Sequence, residues 1–213
     1  MKLQSEKKRV IFGAAALIAL LIVVGVAWYM NSSKSESTGN TFLVETPTLV
    51  IETPQKVSIS QTDELILDLE IERLGDALYP AASFSISFDS SRLEFLGVKE
   101  GNVFVQNSST DTQITQKLPE WSYNVEQSNK SGLINIMYLD ITGGKNAFCQ
   151  ELLAAEDNVV LRLAFRIRGS ARVSDICDLI VEDAVFAASD ETQSLSINQN
   201  TLQIKNGKII VGE

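Results

Sequence analysis

Leu65, Leu67, Leu69 and Ile71 alternate with Ile66, Asp68, Glu70 and Glu72, and this period of two returns along most of the chain. A period of two puts every second side chain on one face, which is the geometry of a half-buried strand. Phe84, Ile86 and Phe88 alternate with Ser83, Ser85 and Ser87. Ile134, Ile136 and Tyr138 alternate with Asn135 and Met137, and Leu161, Leu163, Phe165 and Ile167 with Arg162, Ala164, Arg166 and Arg168. Shorter apolar runs occupy 48–52, 93–98, 179–185, 202–204 and 208–211. Asp89-Ser90-Ser91, Gly143-Gly144, Gly169-Ser170 and Asn206-Gly207 separate them as turns. Many short strands with turn signals between them predict an all-β sandwich rather than alternating β and α units. Asn206-Gly207, set between two short strands, predicts a tight hairpin. Asp89 is expected to bond the backbone amides ahead of it. Asn146 to Glu156 (NAFCQELLAAE) departs from the pattern. Its helix formers, with Phe148, Leu152 and Leu153 on one face, predict a short inserted helix. Residues 106–130 read as polar and loop-rich.

The N-terminus has a different character. Residues 10–30 carry no charge, and 21 such residues can cross about 30 Å of hydrocarbon as a helix. Lys7, Lys8 and Arg9 precede the run, so 1–9 is expected as a cytoplasmic basic tail and everything after Met30 outside the cell. A cleaved signal peptide is the rival reading. Its apolar core would be shorter, and Ala27 before Trp28-Tyr29 makes a poor cleavage site, whereas those aromatics suit a membrane interface. Residues 10–30 are therefore expected as a transmembrane signal-anchor helix. Residues 31–45, beginning NSSKSESTGN, are expected as a flexible linker, and 46–213 as one extracellular domain. The expected place is the cell membrane, single-pass, with the C-terminal domain outside.

Charge and composition narrow the function. Setting aside residues 1–9, 14 basic residues face 26 acidic ones, near −12. A chain this acidic lacks the basic footprint that nucleic acid needs. There is no histidine, which removes Ser-His-Asp and Cys-His nucleophiles and any His-ligated zinc site. Ile141-Thr-Gly-Gly-Lys-Asn146 has glycines without phosphate-loop spacing. Asp140, Glu182, Asp183 and Asp190 are carboxylates on an acidic surface and read as solvating charges rather than a hydrolytic pair. No EF-hand spacing is present, and no metal or cofactor is expected in the chain itself. The chain reads as non-catalytic. Cys149 and Cys177 both fall on the outer side, where an oxidising environment permits a disulfide and two buried free thiols are the alternative. Trp121 and Tyr123, two apart, would share a face of an extended segment and form an aromatic platform for sugar, unless Trp121 packs under a loop.

Three stretches, in their order, resemble the cohesin domain family. The first is Ala82 to Val98 (ASFSISFDSSRLEFLGV) followed by Glu100-Gly-Asn-Val-Phe104. The second is Leu133 to Gly143 (LINIMYLDITG). The third comprises Val159 to Arg168 (VVLRLAFRIR), Ala184-Val-Phe-Ala187 with Asp190, and Asn206 to Val211. The resemblance implies a nine-stranded jelly-roll β-sandwich, and the inserted helix has a counterpart in some cohesin subtypes. It also implies a function, since cohesins bind dockerins, small calcium-loaded helical modules of other proteins. Calcium is then expected on the partner. The best-known cohesins carry Asn and Asp where this chain has Ala81 and Ser83. The partner-facing positions implied are Ala81, Ser83, Ser85 and Ser87 with Asn135, Met137, Asp140 and Gly143. A membrane-anchored, cohesin-like protein-binding module is the leading expectation. A structural subunit of an envelope or appendage assembly is one alternative. A carbohydrate-binding sandwich using Trp121 and Tyr123 is the other.

Overall fold

Alternating sequence folds here into two sheets that bury their apolar rows against each other. A computed structural model describes residues 46–213 apart from 54–55, 61–63, 108–115 and 144–145. The expected tail, anchor and linker over 1–45 lie outside the described residues. Among those described, no helix is long and apolar enough to cross a membrane. In chain order the strands are β1 (Thr48–Ile51), β2 (Val57–Ser58), β3 (Leu65–Ile71), β4 (Ala81–Phe88), β5 (Leu93–Glu100), β6 (Val105–Asn107), β7 (Gln116–Lys117) and β8 (Ser122–Tyr123). Helix α1 (Val125–Ser131) follows. Then come β9 (Leu133–Leu139), β10 (Asn146–Ala147), β11 (Val159–Ile167), β12 (Ile176–Ala187), β13 (Leu195–Ser196), β14 (Gln203–Lys205) and β15 (Gly207–Gly212). That is fifteen strand segments among the described residues rather than the nine the resemblance implies, and five of them are two-residue pairings.

The first sheet has the order β14-β1-β3-β11-β5, and the second runs β2-β15-β12-β4-β9-β8 with β13 paired to β12. A small third sheet joins β10, β6 and β7. Leu67 and Leu69 from the first sheet share one core with Phe84, Ile86, Leu179 and Ile209 from the second. Across that core Phe88 of β4 meets Phe165 of β11 with ring centroids 5.5 Å apart. In β4 the buried residues are Ala82, Phe84, Ile86 and Phe88, so the alternation sends the Ser row outward. The turn after it is held as expected. Asp89 Oδ1 accepts from the Ser91 N–H at 2.9 Å, and Arg92 bridges Asp89 and Asp175.

Three expectations are corrected. Asn146–Glu156 is not an α-helix. It begins as β10, and Phe148 then exchanges both backbone hydrogen bonds with Tyr79, each 3.0 Å, which leaves one 3-10 turn at Gln150–Leu152. Among the described residues the α-helix is α1, which begins inside the 106–130 stretch expected as loop. Asn124 caps it by accepting from the Gln127 N–H, and Gly132 ends it in the left-handed region at φ 70°. Its Asn129 closes the outer edge of β5, accepting from the Phe95 N–H and donating to the Phe95 carbonyl, both at 2.8 Å. Asn206-Gly207 is not a hairpin turn either. β14 pairs with β1 in the first sheet and β15 with β12 in the second, so the dipeptide carries the chain from one sheet to the other. Its glycine is required by space, since a Cβ at Gly207 would lie 2.6 Å from Ile51 Cγ2 and 2.7 Å from Thr53 Cγ2.

The disulfide reading is the third correction. Cys149 and Cys177 are both buried free thiols, and burial raises both, Cys177 to about 11. Cys149 follows Phe148, which pairs with Tyr79 just before β4. Cys177 lies beyond the other end of β4, two residues before the Leu179–Phe88 pair. Nine residues of extended chain separate Tyr79 from Phe88, roughly 30 Å at the rise of a strand. A disulfide needs Cα atoms within about 7 Å.

Candidate functional site

The outer face of the second sheet collects most of the expected partner-facing residues, because strand register dictates it. β4 is central. On one side β9 sets Leu139 opposite Ala81, Met137 opposite Ser83, Asn135 opposite Ser85 and Leu133 opposite Ser87. On the other, β12 sets Ala187, Val185, Asp183 and Ile180 opposite the same four residues of β4. Ser85 Oγ donates to Asn135 Oδ1 at 2.8 Å, and Ser87 Oγ donates to Glu182 Oε1 at 2.7 Å. The hydroxyls thus tie β4 to both neighbours and fill little volume. An open depression of about 480 Å³ lies beside the row, lined by Ser83, Ser85, Ser122, Tyr123, Asn135 and Met137.

The surround is apolar to an unusual degree for a sheet exterior. Met137 is 51 % exposed, Leu139 58 %, Ile141 90 % and Ile180 40 %. Exposed apolar groups gathered on one face mark interaction surfaces more often than isolated ones do. The first sheet is finished differently. Arg162–Asp68 at 3.0 Å, Arg166–Glu94 at 3.4 Å, Lys99–Glu64 and Lys205–Glu72 distribute paired charge over its outer side and rim. Leu139, Ile141 and Ile180 were not among the residues anticipated. Leu139 was legible as the next outward position after Asn135 and Met137. Ile180 was hidden because Leu179, Ile180 and Val181 are three apolar residues in a row, so the sequence does not say which of them faces out.

Asp140 and Gly143 sit at the end of β9 rather than on the sheet. Asp140 accepts from the Thr142 N–H and hydroxyl and from the Asn146 N–H and side-chain amide, at 2.7–3.2 Å. Its oxygens organise their own loop. Partial burial alone would raise the carboxyl, but the hydrogen bonds from Asn146 and Thr142 outweigh it and hold it well below the usual carboxylate range. A carboxyl lowered by folding contributes stability above its unfolded pKa of about 3.9, lost as pH falls toward the folded value. Asp140→Asn is therefore expected to cost about 1 kcal/mol at pH 7 through the lost charge-assisted bonds. That difference from the parent should narrow progressively as pH falls below about 3.9, read from urea midpoints across the range. Gly143 is exposed at φ 84°, with nothing within 4 Å of where a Cβ would stand.

Trp121 and Tyr123 do not present a free aromatic platform. Trp121 packs against the core, its ring 5.5 Å from Phe84, 5.9 Å from Tyr138 and 6.0 Å from Phe148. Tyr123 leans edge-on against Phe95 at 6.1 Å and closes over Gly97. Among the described residues no group of acidic or cysteine side chains is placed to hold a metal.

Comparison with known proteins bears on the fold and the family. The family described as Cohesin domain matches residues 53–209. No curated protein matches the chain. Among solved structures, a type I cohesin–dockerin complex from Clostridium thermocellum is similar at TM-score 0.55 and 17% identity, over 78% of this chain and 94% of that one. The sixth cohesin of scaffoldin B from Acetivibrio cellulolyticus, solved with a dockerin, is similar at TM-score 0.53 and 17% identity, over 78% and 99%. A non-cellulosomal cohesin from the archaeon Archaeoglobus fulgidus is similar at TM-score 0.50 and 15% identity, over 79% and 92%. At these identities the likeness establishes the fold.

Proposed function

The chain belongs to the cohesin domain family, and from that premise we propose that it is a non-catalytic protein-binding module whose partner, a dockerin-bearing protein, docks on the outer face of β12, β4 and β9. The observation that carries this reading is the contrast between the two sheets. One exterior is laced with ion pairs, while the other exposes Met137, Leu139, Ile141 and Ile180 around a row of small side chains. Ala81 and Ser83 stand where a polar pair anchors dockerins in the best-known members, so recognition here leans on apolar contact. Met137, unbranched and polarisable, suits a contact that must adapt to its partner. In the same reading residues 10–30 hold the module at the outer surface of a membrane and 31–45 give it reach.

The test is calorimetric. Residues 46–213 are titrated with each dockerin module encoded by the source organism, in calcium and in chelator. At least one should bind one-to-one in calcium and not in chelator. Failure of all of them rejects the dockerin partner. Tethering is tested separately on the full chain, which should stay with membranes through an alkaline carbonate wash. Its release into the medium rejects the anchor.

A further inference from the structure

Asn206-Gly207 occurs once in the chain. An asparagine before glycine is open to attack on its side-chain amide by the glycine's own backbone nitrogen, because glycine has no Cβ to crowd the approach and adopts backbone conformations closed to other residues. The fold fixes both reactants. Gly207 is buried and stands opposite Leu179, the last pair of the β12–β15 ladder. Past that pair the chain has crossed to the first sheet, and the Val181 N–H is taken by Asn206 Oδ1 at 2.9 Å. The amide is therefore pinned to β12, while the nitrogen that would attack it belongs to β15. The chain on the other side is held less firmly. β14 is three residues long, lies at the edge of the first sheet and pairs with β1 at three positions. Lys205, next to Asn206, adds an ion pair to Glu72 with both side chains well exposed, an arrangement that contributes little in water.

We infer that Asn206-Gly207 is a spontaneous modification site that the fold keeps inert and that local opening of β14 releases. Once 203–206 leaves β1, Asn206 loses its hold on Val181 and its side chain can turn back on the main chain. The Gly207 nitrogen then bonds Asn206 Cγ, the Cγ–Nδ2 bond breaks, and Nδ2 leaves as ammonia with the Gly207 N–H proton. Water opens the resulting cyclic imide at either carbonyl carbon. One opening gives aspartate. The other gives an isoaspartyl link, which routes the main chain through the side chain. Aspartate can reclose, since its carboxylate accepts from the Val181 N–H as the amide did. The isoaspartyl link cannot. It adds a main-chain carbon where even a Cβ on Gly207 would lie 2.6 Å from Ile51 Cγ2 and 2.7 Å from Thr53 Cγ2. Opening is thereby recorded covalently, and the isoaspartyl product keeps β14 from returning to its sheet.

Peptide mapping by mass spectrometry tests this on residues 46–213, which enclose their own core, held at mildly alkaline pH. Loss of ammonia and gain of water leave the peptide one mass unit heavier at Asn206. The change should run at least 100-fold slower in the folded domain than in urea above the unfolding transition, because only the open fraction reacts. Below that transition the rate should stay flat as urea rises, since a local opening exposes little new surface. Ile204→Ala, at the partly buried position of β14, should raise the folded rate at least fivefold. Asn206→Asp should unfold at the parent's urea midpoint, while refolded protein carrying isoaspartate at 206 should unfold at lower urea. Equal rates in the folded and unfolded states overturn the inference. So does a folded rate that climbs in step with global unfolding, a rate that Ile204→Ala leaves unchanged, or isoaspartyl protein as stable as the parent.

Discussion

Phe148→Ala is expected to cost about 3–5 kcal/mol of folding stability, the range for truncating a fully buried aromatic. Phe148 is 0% exposed. Its ring lies 5.2 Å from Tyr138, 5.6 Å from Phe186 and 6.0 Å from Trp121. Truncation leaves a cavity bounded by three rings that other elements hold in place: Tyr138 by β9, Phe186 by β12 and Trp121 by its own contact with Phe84. Little collapse is available to refill it, which puts the cost toward the top of the range. Urea unfolding of residues 46–213 measures it, with Phe104→Ala, an exposed position, as the control near zero. A cost below about 1 kcal/mol for Phe148→Ala would mean that 146–149 is not the extended, core-facing segment described.

Met137→Arg is expected to weaken partner binding at least 100-fold, about 2.7 kcal/mol, while leaving the unfolding midpoint within about 0.5 kcal/mol of the parent. The two readouts separate because Met137 points away from the core and is half exposed, yet lines the depression beside Ser83 and Ser85. An arginine there must either lose its hydration under a docked partner or hold the partner off. Truncations near the centre of an interface reach 2 kcal/mol or more, and a buried new charge exceeds a truncation. Ile66→Arg, on the ion-paired sheet, is the matched control and should leave binding unchanged. If Met137→Arg binds as the parent does, the docking face is elsewhere.

The sandwich was legible where period two decides burial by itself. β3, β4 and β9 and most of β11 lie where Leu65–Ile71, Ala81–Phe88, Leu133–Leu139 and Leu161–Ile167 announce them, because each has one row facing the core and one facing out. What escaped was tertiary in origin. NAFCQELLAAE has helix propensity, but Tyr79 claims the Phe148 backbone and the aromatic cluster claims its ring, and both outweigh a few tenths of a kcal/mol of propensity. Helix α1 shows no apolar stripe, and only Ser128 of its residues is buried. Its anchors are an Asn124 cap and the Asn129 clasp on Phe95, neither of which a hydrophobic pattern records. Asn206-Gly207 has hairpin chemistry, yet the glycine answers the close approach of Ile51 and Thr53 instead of a turn.

The site divided in the same way. Ala81, Ser83, Ser85, Ser87, Asn135 and Met137 could be placed on one face from alternation and strand order alone. Asp140 and Gly143 could not, because their place depends on how the chain leaves β9, and Asp140 spends its oxygens on that exit. Ile180 stands between the buried Leu179 and Val181 in an unbroken apolar triplet, where no polar alternation marks the outward position. Trp121 and Tyr123 stand two apart, but the core takes up the Trp121 ring while Tyr123 leans on Phe95 and stays 41 % exposed.

Methyl resonances offer the most direct measurement of where the partner docks. Residues 46–213, labelled at Ile, Leu and Met methyl groups, are titrated with a dockerin that binds them. Met137, Leu139, Ile141 and Ile180 are expected to shift together while Ile66 on the opposite sheet stays in place. Shifts concentrated at Ile66, with Met137 and Leu139 unmoved, would contradict that docking face.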